Sequence, residues 1–150
     1  NTKTPDEILA DVNTLLTTAW ASAGYDEDAI PNHMLIPFEQ YGYIATTLIS
    51  SAGDKSILKY LQENNLAAVK GVTLFIGGTS YCKGAGTGST DRAVVYCNKE
   101  RFVAEDELSP LNRALTTQNA ATASFDTLYV ANVSELEFFA PETAVYGDGI

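Results

Sequence analysis

The stretch of this sequence with the composition of a ligand site is a glycine-rich loop, KGAGTGSTDR, at residues 83–92. Glycines at alternate positions followed by Ser and Thr are typical of loops whose backbone amides bind phosphate. Such a loop needs a helix after it, but residues 92–97 are a β-branched apolar run typical of a strand. The Gly-Lys-Ser/Thr signature of a P-loop does not follow the glycines. We therefore predict a mobile connection between two strands and no nucleotide.

Few other residues offer catalytic or metal-binding chemistry. His33 is the only histidine, so a catalytic triad or a histidine-based zinc site lacks its partners, and we interpret this residue as structural. The acidic cluster at residues 26–28 lacks the ligand spacing of a calcium loop, and we interpret it as a solvated turn. The acidic residues 105–107 are candidates for an acid/base pair, but adjacent acidic residues in a polar stretch are normally surface charge. The sequence therefore predicts no enzyme activity, no metal and no cofactor.

Composition limits the remaining classes. With 150 residues, 45% of them hydrophobic, the chain is long enough for one domain with its own core. Nine basic and nineteen acidic residues give a net charge of -10, which opposes binding to nucleic acid or to an anionic membrane. No apolar run approaches the length of a membrane span. The sequence begins at Asn1 and its one methionine is Met34, so we interpret it as a piece of a longer chain.

The two cysteines, Cys82 and Cys97, flank the glycine loop. In a hairpin centred on that loop they could face one another and form a disulfide. Nothing else in the sequence indicates an oxidising compartment, so two buried thiols are the favoured interpretation.

The first half of the sequence predicts helices. Thr4 is a candidate N-cap, Pro5 suits the first helical position, Glu7 completes a capping box, and Gly24 ends the helix. A buried strand, HMLIP, follows at residues 33–37. Two further helices are expected, one at residues 38–50 that stops at Ser51 to Gly53, and one at residues 56–65 that Asp54 caps and that Asn64 and Asn65 end.

The second half predicts strands. They are expected at residues 71–77, 92–98, 101–105, 126–133, 135–140 and 143–147. Residues 107–124 are polar and small with no clear period, and we predict an irregular excursion there. Helices first and strands later favour an α+β domain, with a central β-sheet flanked by helices.

Several phrases, taken in order, resemble the major capsid proteins of tailed bacteriophages with the Hong Kong-type coat fold. The resemblance covers nearly the whole chain, and none of its phrases is specific alone. The phrases are TPDEILADVNTLLTTAW, HMLIPFEQYGYIATTL, SILKYLQENN, GVTLFIGG, TDRAVVYCN and the closing ELEFFAPETAVYGDGI.

The resemblance implies a phage coat-protein-like axial domain over residues 1–150, with the last strand, about residues 141–150, returning toward the peripheral domain. It implies a shell subunit of a phage or prophage that assembles with copies of itself into pentamers and hexamers in the host cytoplasm and resides in the virion capsid. It also makes the glycine loop a candidate subunit contact, through Lys83, Gly84, Gly86, Gly88, Asp91 and Arg92.

The sequence departs from the family pattern in one respect, and two alternative interpretations remain open. The N-terminal arm, the extended loop and the long spine helix of such proteins have no counterpart in these residues. A bacterial nanocompartment shell protein shares the fold and is a second interpretation. A small-molecule-binding or enzymatic α+β domain with its site in the loops is a third.

Overall fold

The computed structural model describes residues 3–50 and 55–150. The chain divides into a first unit, Asn1–Asn98 with Ala140–Ile150, and a second unit, Lys99–Phe139. The helices are α1 (Pro5–Ser22), α2 (Phe38–Thr46), α3 (Ile57–Glu63) and α4 (Leu66–Val69). The strands are β1 (His33–Pro37), β2 (Phe75–Thr79), β3 (Arg92–Tyr96), β4 (Val103–Ala104), β5 (Glu107–Asn119), β6 (Ser124–Val133), β7 (Glu137–Phe138) and β8 (Ala144–Asp148).

A four-stranded sheet in the order β2-β1-β3-β8 forms the centre of the first unit. β1 and β2 run parallel, whereas β3 is antiparallel to both β1 and β8. A parallel pair needs a crossover connection, and α2, α3 and α4 lie in the one between β1 and β2. The predicted arrangement of a central sheet with flanking helices is therefore present in this unit.

The core of the first unit is built mainly by α1, α3 and the strands β1, β2 and β3. Leu16 of α1 and Ile57 of α3 are fully buried. α1 lies close to β8, where a Cβ atom on Gly147 would lie only 2.8 Å from Leu15 Cδ2. Further buried members of this core are Val12, Ala19, Met34, Ile36, Leu61, Ile76, Ala93 and Val95.

The predicted capping of α1 is confirmed. The Thr4 side chain accepts a hydrogen bond from the Glu7 amide at 3.4 Å, and the Glu7 carboxylate accepts one from the Thr4 amide at 2.7 Å. Pro5 occupies the first turn, and Gly24 follows the helix with a left-handed φ of 68°. The sequence encoded both ends of this helix.

The second and third helices are shorter than predicted. α2 ends at Thr46 instead of residue 50, because Leu48 forms a β-bridge with Ser56. The predicted stop at Ser51 to Gly53 and the predicted cap Asp54 lie outside the described residues. Ser56 caps α3, accepting a hydrogen bond from the Lys59 amide at 3.4 Å. Asn64 ends α3 as predicted, and Asn65 caps α4, a helix that the sequence analysis missed.

The prediction of an irregular excursion at residues 107–124 is wrong. These residues form β5 and the turn into β6, and the two strands pair as a long antiparallel hairpin in the second unit. Alternation of apolar and polar residues is a signal of one buried face. β5 and β6 are exposed over nearly their whole length, so this signal is missing. Pro110 and register shifts along β5 weaken the pattern further.

The other strand predictions hold with altered bounds. β2 begins at Phe75 rather than residue 71, because a turn at Gly71, with φ 76°, follows α4. The predicted strands at residues 101–105 and 135–140 are reduced to the two-residue strands β4 and β7, which pair with each other.

Cys82 and Cys97 are buried thiols that are not joined in a disulfide, so the disulfide alternative is not realised. Cys82 lies within 3.8 Å of the Leu35 carbonyl and Cys97 within 3.6 Å of the Asp28 carbonyl. Burial raises the pKa of the Cys82 thiol, which keeps that side chain protonated and unreactive near neutral pH.

His33 makes the contacts of a structural residue. Its Nδ1 lies 3.0 Å from Asn32 Oδ1, and its Nε2 lies 3.2 Å from Asn98 Nδ2. The ring packs against Phe75 and Tyr96, with centroids 5.1 and 5.5 Å away. Burial lowers the pKa of His33, so the neutral form predominates at pH 7.

Candidate functional site

The segment between β2 and β3 contains two short 3-10 turns, Ser80–Cys82 and Thr87–Ser89. The glycine loop, residues 83–92, follows the first of these turns and contains the second. Gly84 and Gly88 have left-handed φ values of 64° and 69°, a region where glycine avoids the steric cost of a Cβ atom. These two glycines are therefore needed for the path of the backbone.

Gly86 is needed for a different reason, which is space. A Cβ atom at this position would lie 2.6 Å from Thr90 Oγ1 and 2.9 Å from the Thr90 carbonyl oxygen. The Gly86 amide donates a 2.7 Å hydrogen bond to that same carbonyl. The loop therefore closes on itself between Gly86 and Thr90, and any side chain at position 86 would push these two residues apart.

Asp148, at the end of β8, joins the loop to the edge of the sheet. Its carboxylate accepts hydrogen bonds from Arg92 Nε at 2.7 Å and Nη2 at 3.1 Å. It also accepts bonds from the Thr87 amide at 2.9 Å and the Thr87 hydroxyl at 3.0 Å. The Arg92 guanidinium, followed by the Thr87 amide, holds the pKa of Asp148 far below its usual range.

Asp91 and Lys83 join the opposite side of the loop to α2. The Asp91 carboxylate accepts hydrogen bonds from the Gly84 amide at 3.0 Å and from Gln40 Nε2 at 2.6 Å. The bond from Gly84, and then that from Gln40, lower the pKa of Asp91. Lys83 forms an ion pair with Glu39, which raises the pKa of the Lys83 amine. The loop is thus held between α2 and β8.

These contacts use the loop amides that a phosphate group would need. The amides of Gly84 and Thr87 point at the carboxylates of Asp91 and Asp148, and the Gly86 amide bonds to a carbonyl. The carboxylates of Asp91 and Asp148 therefore fill positions that a bound anion would occupy. The strand β3, not a helix, follows the loop.

The six residues predicted for the site lie together in one hydrogen-bonded loop: Lys83, Gly84, Gly86, Gly88, Asp91 and Arg92. The sequence analysis missed Glu39, Gln40 and Asp148, which hold it. The only signal for Asp148 is its position directly opposite Arg92 in the β3–β8 register, and that pairing cannot be read before the fold is known. The predicted mobility of the loop stays untested, although its contacts favour a fixed backbone.

The outward side of the loop is open. Residues 83–85 and 87–90 are exposed, and most of their side chains are small. Arg92 lies over the ring of Tyr146, with its guanidinium carbon 4.8 Å from the centroid. The outward side of the loop thus combines a hydrogen-bonded backbone with mostly small, exposed side chains.

Over residues 3–50 and 55–150, no group of three or more His, Cys, Asp or Glu side chains is placed to hold a metal ion. Within the same described ranges, no helix is both long and apolar enough to cross a membrane.

The fold is similar to that in the solved capsid of the Myoviridae phage XM1, with a TM-score of 0.75 and 19% sequence identity. The similarity covers 99% of this chain and 48% of that chain, so the sequence spans about half the length of its structural relative. The predicted α+β fold of the phage coat-protein type is confirmed. The sequence has no significant match among curated proteins.

The family model for major capsid proteins matches residues 1–150. The chain therefore belongs to the major capsid protein family, which confirms the resemblance that the sequence phrases carried.

Proposed function

We propose that this chain is part of a structural subunit that assembles with copies of itself, as pentamers and hexamers, into the icosahedral capsid of a phage or prophage. The observation that carries the proposal is the match of the major capsid family over all 150 residues. The same match favours a capsid over a nanocompartment shell or a small-molecule-binding domain. The proposed role is structural, without catalysis, and its place is the virion capsid after assembly in the host cytoplasm.

We further propose that residues 1–150 lie near the local symmetry axes of the shell, as an axial-type domain. The last strand pairs with β3 in the central sheet of the first unit, which favours keeping residues 141–150 with the axial-type part rather than with a peripheral domain. The net charge of -10 supports a subunit that binds neither specific nucleic acid sequences nor membranes.

The test of the shell proposal is electron microscopy of the intact gene product, expressed alone and purified by size. Closed particles or rings of five and six subunits are the expected result. A single small species at every salt concentration and pH would overturn the proposal.

The glycine loop, residues 83–92, is proposed as one subunit contact in that shell. Support comes from its exposed, small-residue outer side and from the hydrogen bonds that fix its backbone to α2 and β8. Contact surfaces with a fixed backbone lose little conformational entropy when they bind.

Ala85 offers a test that leaves the internal bonds of the loop in place, because this residue is exposed. Ala85→Arg adds a large charged side chain to the outer side, and we expect at least a tenfold loss in particle yield. Gln62→Arg, at an exposed position of α3, is the matched control and should assemble like the wild type. Normal particle yield from Ala85→Arg would remove the loop from the contact.

A further inference from the structure

The hairpin of β5 and β6, here called the ribbon (residues 107–133), lacks the packing that normally stabilises strands. All ten residues of β6 are exposed, and β5 is exposed along most of its length. A two-stranded hairpin on its own is only marginally stable in water. The ribbon therefore has the form of an element that acquires its stability from a partner.

Both faces of the ribbon carry exposed apolar side chains. Leu128 and Val130 lie on one face, with Leu115 directly opposite Leu128, whereas Tyr129 lies on the other. These four side chains are between 49% and 56% exposed. Apolar groups clustered on a surface mark sites of protein interaction. Because both faces are affected, covering one face alone would leave the other exposed to water.

The two edges of the ribbon differ. Among the described residues, β5 and β6 pair only with each other, so each strand has an outer edge. β5 contains Pro110, and each of its three register shifts places an extra residue on its own side. Proline and bulges are the features by which natural proteins block the addition of a strand. β6 has neither proline nor a basic residue, so its outer edge is open to pairing.

Charge indicates which partner fits this edge. Each copy of this chain carries a net charge of -10, which opposes the approach of a second copy. Residues 114–134 contain one charged side chain, Asp126, in 21 residues. A second copy can therefore approach the ribbon along β6 with little repulsion, and both apolar faces would then continue across the junction.

We propose that the outer edge of β6 pairs, main chain to main chain, with a strand from a second copy of this chain. This inference rests on the proposed function, since a shell supplies the second copy at high local concentration. It assigns the ribbon as an intersubunit contact distinct from the glycine loop.

The test measures hydrogen exchange of backbone amides in the intact gene product, purified alone so that other copies are its only partners. Free subunits are compared with assembled particles. We expect exchange across residues 124–133 to slow at least tenfold on assembly, and exchange across residues 107–119 to change less than threefold. Equal exchange of β6 in the two states, or slowing confined to β5, would overturn the inference and leave the shell proposal standing.

A pair of variants provides a second readout. Val130 of β6 and Asn112 of β5 are directly opposite each other in the ribbon, so their side chains lie on the same face. A lysine at position 130 adjoins the outer edge of β6, whereas a lysine at position 112 adjoins the outer edge of β5. Val130→Lys should lower particle yield at least tenfold, and Asn112→Lys should stay within twofold of the wild type. Equal yields from the two variants would contradict the inference. Failure of the wild type to assemble would overturn the shell proposal and this inference together, and that outcome is visible before any variant is made.

Discussion

At the scale of single residues, the glycine loop shows how one composition can arise from several physical needs. Gly84 and Gly88 supply left-handed backbone, whereas Gly86 supplies space beside Thr90. The alternate spacing suggested anion binding, yet the amides bond to carboxylates and carbonyls of the protein itself. The sequence could reveal the glycines and Asp91, but not that Asp148 lies within reach, because that residue is separated from Thr87 by 61 positions.

Gly86→Ala is expected to destabilise the first unit by about 1–3 kcal/mol, because the added methyl group would overlap the Thr90 backbone. Gly42→Ala is the matched control: this helical glycine has open space around its Cβ position, and the change should stabilise by about 0.5–1 kcal/mol. Urea unfolding of the two variants measures both effects. A neutral Gly86→Ala would mean that the loop can relax away from Thr90.

Asp148→Asn is expected to lower the Tm at pH 7, because it removes the carboxylate charge to which Arg92 and Thr87 donate hydrogen bonds. The depressed pKa of Asp148 means that its stabilisation is present above the unfolded value of about 3.9 and is lost as the pH falls toward the folded-state pKa. The difference in Tm between wild type and variant should therefore shrink below about pH 4. Thermal melts at several pH values check this.

Glu100→Gln is the control for that series, since Glu100 is exposed and lies in the second unit. It should leave the Tm at pH 7 unchanged. If Asp148→Asn lowers the Tm as much at pH 3 as at pH 7, which bracket the unfolded pKa of about 3.9, the lost charge is not the cause.

At the scale of elements, the parts that the sequence predicted well are those with local signals. α1 carries its cap, its first-turn proline and its terminal glycine within its own residues, and both of its ends were predicted. β1 and β3 are largely apolar runs whose residues are buried or half-buried, so composition indicated them. The ribbon was missed because its strands are specified by pairing and leave both faces exposed, so no periodicity marks them.

At the scale of the whole molecule, the two units differ in how they are stabilised. The first has a continuous core around Leu16, whereas the exposed ribbon dominates the second. Leu16→Ala should therefore cost about 2–5 kcal/mol of unfolding free energy, through the cavity left beside the sheet. Leu115→Ala, on the ribbon and 55% exposed, should change stability by less than about 0.5 kcal/mol.

Urea unfolding of the 150-residue chain, followed by circular dichroism, measures both changes. A large loss of stability for Leu115→Ala in the unassembled chain would mean that the ribbon is covered by other parts of its own subunit.

The pairing of β3 with β8 has a consequence for folding. The two strands are neighbours in the sheet, yet Arg92 and Asp148 are 56 positions apart, and the entire second unit lies within that interval. The second unit is thus an insertion within the connection of what is topologically a simple hairpin. Closing so long a segment is slow relative to local pairing, so β8 should join the sheet late in folding, and the glycine loop should acquire its Asp148 anchor only at that final step.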